Sequence, residues 1–134
     1  MHLTETEGQI ERLGECFELL GETPRAKACK GMQGIVEEGQ EVMEEATDKE
    51  DAAADLALIG AAQRVEHYEI SGYTTARNLA QQLRQTAIVA LLTKSLSEEE
   101  NADQLLGQVA RSLMSVSAMP AAIEQADAVE EPAE

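Results

Sequence analysis

From residue 49 to 84 the chain places Leu56, Ile59, Ala62, Ile70 and Tyr73 at helical spacing, with no proline between them. A helix of that length cannot bury its apolar face alone. It must lie against other long helices. With one Phe, two Tyr and no Trp, the core between them has to be built from Leu, Ile, Val, Ala and Met. Ala, Leu, Met, Glu and Gln are all good helix formers, so the expected fold is all-α. The 134 residues suffice for one domain with a modest core.

Three further helical segments surround this one. Residues 2–20 carry His2, Thr6, Gln9, Leu13, Phe17 and Leu20 on one side, with Ile10 beside them, and Gly21 ends the run. A second helix is expected over about 24–46, with Thr23 as its cap and Pro24 in its first position. Its stripe holds Ala28, Met32, Ile35, Val36, Gly39, Val42 and Met43. Asp48 is the expected cap of the third helix, and a bend is placed near Arg84–Thr86. The fourth helix, about 86–115, buries Ile88, Leu92, Leu96, Leu106, Ala110 and Leu113. The domain is expected to span 1–115, with 116–134 a disordered acidic tail rich in Pro, Ala and Glu.

A formal charge of −16 excludes some partners. Such a surface repels phosphates and anionic head groups, so neither nucleic acid nor membrane is an expected partner. Excess carboxylate usually just solvates a protein, and it also suits hard cations. The opening "MHLTETEGQI" is too acidic for a secretory signal, and no apolar run spans a bilayer. A cytoplasmic protein is expected. Cys16 and Cys29 lack metal or disulfide spacing and read as packing thiols.

Helical phase then picks out particular carboxylates. Glu66 lies seven residues after Ile59 and four before Ile70, so it shares their inward stripe. Glu69 and Tyr73 follow on that side, while His67 sits at its edge. Glu99 lies seven after Leu92 and seven before Leu106, with Asp103 one turn on. Glu98 and Glu100 point elsewhere, toward solvent. On the first helix His2 is inward and Glu5 flanks it. In an antiparallel hairpin turning near residue 85, Glu66 falls level with Asp103, and Glu69 near Glu99 and Glu100. Crowded buried carboxylates must share protons, pair with Arg or Lys, or bind a cation. The inward stripes offer no obvious basic partner. A hydrogen-bonded polar layer, a water-filled site and a metal site all satisfy this pattern.

The strings "HLTETEGQIERL", "PRAKACKGMQGIVEEG", "AAQRVEHYEISGYTTA" and "LLTKSLSEEENADQLL" resemble, in that order, the YciE/YciF family of bacterial ferritin-like proteins over about residues 2–110. The resemblance implies a cytoplasmic helical bundle of the ferritin or rubrerythrin type, dimeric and associated with stress responses, with a di-metal, di-iron centre. By that resemblance the second helix is a shorter crossover. His2 and Glu5 match the family's His-x-x-Glu pattern, Glu66 and Glu69 the next helix, and Glu99 and Asp103 the last. These six residues form the implied metal site. The family's first helix would precede "HLTETEG", where this sequence has only Met1. The expectation is therefore a bundle truncated at its N-terminus, of three long helices plus the crossover, short of one glutamate ligand. Its groove would be closed by another subunit, by rearrangement of the second helix, or left open.

Two functions compete. One is an iron protein acting on peroxide or oxygen. The other is a non-catalytic helical assembly module without metal. A storage cage is disfavoured, and so is a thiol peroxidase, since neither cysteine has a histidine beside it.

Overall fold

A computed structural model describes residues 2–47 and 51–127, with the backbone alone from 117 onward. The described residues form four helices and no strand: α1 His2–Leu20, α2 Lys30–Ala46, α3 Ala52–Gln82 and α4 Thr86–Asp127. The all-α expectation holds. No helix among the described residues is long and apolar enough to cross a membrane.

α3 and α4 form an antiparallel hairpin that holds the molecule together. α2 packs on α3, and α1 packs on α4. The backbones of α1 and α3 do not pack closely among the described residues. Long polar side chains bridge the space between them instead.

Helix ends follow local chemistry. α1 closes with Gly21 in the left-handed region at φ 68°, its N–H donating to the Glu18 carbonyl while Glu22 N–H reaches Phe17. Glycine pays no Cβ penalty there. α3 ends with the same pair of bonds, Arg84 N–H to Gln81 and Gln85 N–H to Ala80, but with Arg84 at φ 57°. No glycine announced that turn, yet the chain reverses where the pattern loses phase. At the start of α3, Asp51 accepts from Ala54 N–H at 2.7 Å, one of the orphan donors of a helix N-terminus. Asp51 is therefore the cap, and Asp48 lies outside the described residues.

Two boundaries differ from expectation. α2 begins at Lys30 rather than near 24, so Thr23 and Pro24 do not start it. The reason is topological. Because α1 lies on α4 and α2 on α3, residues 21–29 must cross between them. An irregular chain covers about 3.3 Å per residue, against 1.5 Å in a helix. α4 continues past 115 to Asp127. Only 128–134 of the expected tail falls beyond that helix, and it lies outside the described residues.

The buried apolar core joins Cys16, Ala80, Ile88 and Leu92, with Tyr73, Ala76, Val89 and Leu91 packed against it. Burying a Leu or Ile side chain is worth about 2 kcal/mol. The inward face of α1 is rotated from the expected stripe. Gln9 and Cys16 are its buried residues, whereas Ile10, Leu13 and Leu20 remain exposed. Among the described residues α1 packs closely on α4 alone, and the face turned toward it carries the polar Gln9 and Arg12 as well as Cys16.

Candidate metal centre

Next to the apolar core lies a layer of buried polar groups. Glu99 is 0 % exposed, Ser95 1 %, Gln9 2 % and Glu66 4 %. Glu66 comes from the middle of α3, Ser95 and Glu99 from one face of α4, and Gln9 from α1. α1 runs antiparallel to α4, so Cys16 meets the apolar core and Gln9 meets Glu99 two turns away. His2, in the first turn of α1, then reaches the outer edge of the layer.

His2, Glu66 and Glu99 each bring a ligand atom to within 4.8 Å of the others. His2 Nε2 lies 3.4 Å from Glu66 Oε1, and its Nδ1 lies 3.8 Å from Glu5 Oε2. Gln9 Nε2 donates to Glu99 Oε1, and Tyr73 donates its hydroxyl to Gln9 Oε1 at 3.2 Å. Glu66 Oε2 and Glu99 Oε2 are buried and, with both carboxylates ionised, have no donor. Leaving such oxygens without partners in an ionised state costs several kcal/mol. Burial first, then hydrogen bonding to and repulsion by Glu99, pushes Glu66 up to about 8. Burial and then the Glu99 charge raise Glu69, which His2 partly offsets. Burial and then Glu69 raise the Tyr73 hydroxyl.

The six sequence-chosen residues thus separate into groups. His2, Glu66 and Glu99 converge. Glu5 stands beside His2, and half-buried Glu69 stands near the trio. Asp103 turns elsewhere: it accepts from Gln63 Nε2 at 2.8 Å and lies 3.3 Å from His67 Nε2. Glu66 accordingly meets Glu99 rather than the Asp103 that the hairpin register put opposite it, because Gln63 and His67 already hold that carboxylate. His67 is largely exposed, as its edge position implied.

Other residues depart from the sequence reading. Arg12 is an inward basic group on α1, donating to Ser95 Oγ at 2.9 Å and pairing with Glu98. Glu98 is therefore an ion-paired, half-buried residue and not a solvated one. Gln9 also approaches Glu98, at 3.4 Å. Arg12 falls one helical step from Gln9 and Cys16, so the correct α1 phase would have found it. Tyr73 donates its hydroxyl to the Gln9 amide. Cys29, expected to pack, is exposed at the N-cap of α2 because that helix starts late. Its thiol lies 3.0 Å from the Tyr68 hydroxyl, which holds it below the usual thiol range. A Cβ on Gly31 would come within 2.6 Å of that hydroxyl, so glycine allows the approach.

The donor set is one imidazole with several carboxylates from facing helices, two of them with buried unpartnered oxygens. It fits a divalent transition metal such as iron, which accepts both donor types.

Comparisons with known proteins bear on the whole chain. A family model described as "Domain of unknown function (DUF892)" matches residues 1–119. Protein YciF of Escherichia coli (strain K12) is 43% identical over 110 residues, 81% of this chain and 65% of that protein. The chain therefore spans slightly less than two thirds of that relative's length. The crystal structure of the E. coli stress protein YciF superposes with a TM-score of 0.79 at 39% identity, covering 85% of this chain and 71% of that one. A second structure, "YcfI, a putative structural protein from Rhodopseudomonas palustris", gives a TM-score of 0.70 at 39% identity, covering 79% of this chain and 66% of that one. With the helical fold, the matched span and the identity all in agreement, this chain belongs to the DUF892 family of YciF-like helical proteins.

Proposed function

We propose that this protein is a cytoplasmic, ferritin-like iron protein of the bacterial stress response, acting on peroxide or oxygen. One observation carries the proposal. Three helices deliver His2, Glu66 and Glu99 to one point, where two buried carboxylate oxygens have no protein partner. A divalent ion there offsets the burial, and relieves the repulsion, that otherwise keep Glu66 protonated. His2, Glu66 and Glu99 would hold the first ion. Glu5 and Glu69, with Asp103 one turn away, are the carboxylates for a second. Bound iron supplies one-electron chemistry toward oxygen or peroxide. The chain's own part is to fix the ligands, keep the layer dry on the Leu92 side and leave it open past half-exposed His2. The stress role is carried over from the E. coli relative, described as a stress protein.

Metal analysis of protein prepared without chelator tests this. The expected result is up to about two irons per chain, the stoichiometry of di-metal bundle sites, lost in Glu66→Ala and Glu99→Ala. Protein that takes up no iron under reducing, anaerobic loading overturns it.

A second reading is a metal-free assembly module, most simply a homodimer. Leu3, Ile10 and Leu13 on α1, Leu79 on α3 and Leu83 at its C-cap are exposed, and the description of the R. palustris relative points the same way. Sedimentation of the wild type against an Ile10→Lys, Leu13→Lys pair tests for that contact. Dimer lost in the variant, in metal-free protein, favours this reading.

A further inference from the structure

Glu99 is the most deeply buried carboxylate described, and its two oxygens are treated differently. Oε1 accepts from Gln9 Nε2, whereas Oε2 has no donor while Glu66 is ionised. Gln9 is itself almost completely buried, so its amide cannot exchange this bond for water. Its orientation is fixed from both ends. A carboxylate only accepts, so the NH2 end must face Glu99. The carbonyl end receives the Tyr73 hydroxyl at 3.2 Å. Turning the amide over would set its oxygen against the Glu99 carboxylate. Three helices thus contribute one hydrogen-bonded line, Tyr73 of α3 to Gln9 of α1 to Glu99 of α4, and it ends beside Glu66 and His2.

We propose that Gln9, oriented by Tyr73, is the positioning residue of the metal centre: it occupies Glu99 Oε1 so that Glu99 meets a divalent cation through Oε2 alone. The inference rests on the metal-binding proposal above. A carboxylate with one oxygen held by a buried amide donor is favoured as a one-oxygen ligand of fixed direction. Freed of that bond, it swings to offer both. Outer partners of this kind orient the ligand and leave the coordination number lower, with positions open for a reactant. A purely structural Gln9 would also satisfy a buried acceptor, but its loss would lower stability without altering the bound ion's environment.

The test uses cobalt(II) titrated into the full chain, read by visible absorption and by competition with a chromophoric chelator. Wild type, Gln9→Met, Tyr73→Phe and Glu99→Gln are compared, each checked for helical content by circular dichroism. Gln9→Met should weaken cobalt binding by about 10-fold or more. It should also dim the visible bands, because added coordination lowers their intensity. Tyr73→Phe should move both readouts the same way and less, about 3-fold in affinity. Glu99→Gln should abolish binding. If Gln9→Met does not fold, Tyr73→Phe decides alone, since it removes one hydroxyl. Wild-type affinity and spectrum in both variants, with binding lost in Glu99→Gln, overturns the positioning role and spares the metal centre. Absence of cobalt binding by the wild type, or binding unchanged in Glu99→Gln, overturns both.

Discussion

Two adjoining layers of this bundle use the same three helices to opposite ends. Near the α3–α4 turn, Cys16, Ala80, Ile88 and Leu92 exclude water with nothing but apolar surface. Two helical turns away, Gln9, Glu66, Ser95 and Glu99 are buried at least as deeply and bring carboxylates together. The first layer stabilises the fold. The second opposes it, because desolvated like charges repel and two oxygens lack partners. A sequence that can build the first layer could have filled the second with leucine. Glutamate in that position costs stability that a leucine would not.

The contrast is sharpest in the sign of two substitutions. Leu92→Ala should destabilise by about 3 kcal/mol, as large-to-small changes in packed cores do, read from urea melts. Glu66→Gln should do the reverse in metal-free protein at pH 9, raising stability by roughly 2 kcal/mol. A loss in the second case would mean the polar layer is a satisfied network, and the comparison would break.

The same contrast sets a pH dependence. Glu66 titrates near 4.5 when unfolded and about 8 when folded. Folding therefore takes up a proton between those values. The stability contributed by protonated Glu66 is full below pH 4.5 and lost as the pH rises through about 8. Urea midpoints of metal-free protein across that range should fall for the wild type and stay flatter for Glu66→Gln. Added metal should flatten the wild-type curve, since a cation replaces the proton.

Smaller effects belong to the helix ends, which lie outside both layers and serve as controls. Asp51→Ala should cost about 1 kcal/mol by removing the α3 cap, equally with and without metal. Arg84→Gly should gain about 0.5 kcal/mol by relieving the left-handed backbone at the hairpin turn. If either responded strongly to metal, the polar layer would be coupled to the whole hairpin rather than confined.

How far the molecule was legible depends on what each residue had to compete with. Glu66 and Glu99 could be placed inward because Ile59, Ile70, Leu92 and Leu106 fix the phase of long helices around them. Gly21 announced its turn, while Arg84 adopts the same conformation without any chemical sign. On α1 the phase misled. Ile10, Leu13 and Leu20 outnumber Cys16 in hydrophobicity, yet α1 turns toward α4 the face that lets Gln9 and Arg12 bond Glu99, Ser95 and Glu98. Hydrophobic patterning ranks faces by transfer energy, and it gives no credit for a polar group whose partner arrives from another helix.

The sequence by itself determined that the chain is helical, where α3 and α4 reverse, and that carboxylates enter the interior of both. Those properties are written in spacing and propensity, which act within a few turns. Only the tertiary structure decided that Glu66 meets Glu99 and not Asp103, that Arg12 is an inward cation, and that Gln9 holds one oxygen of Glu99. Each of these depends on the rotation and depth of one helix against another, a matter of angstroms that no local periodicity encodes.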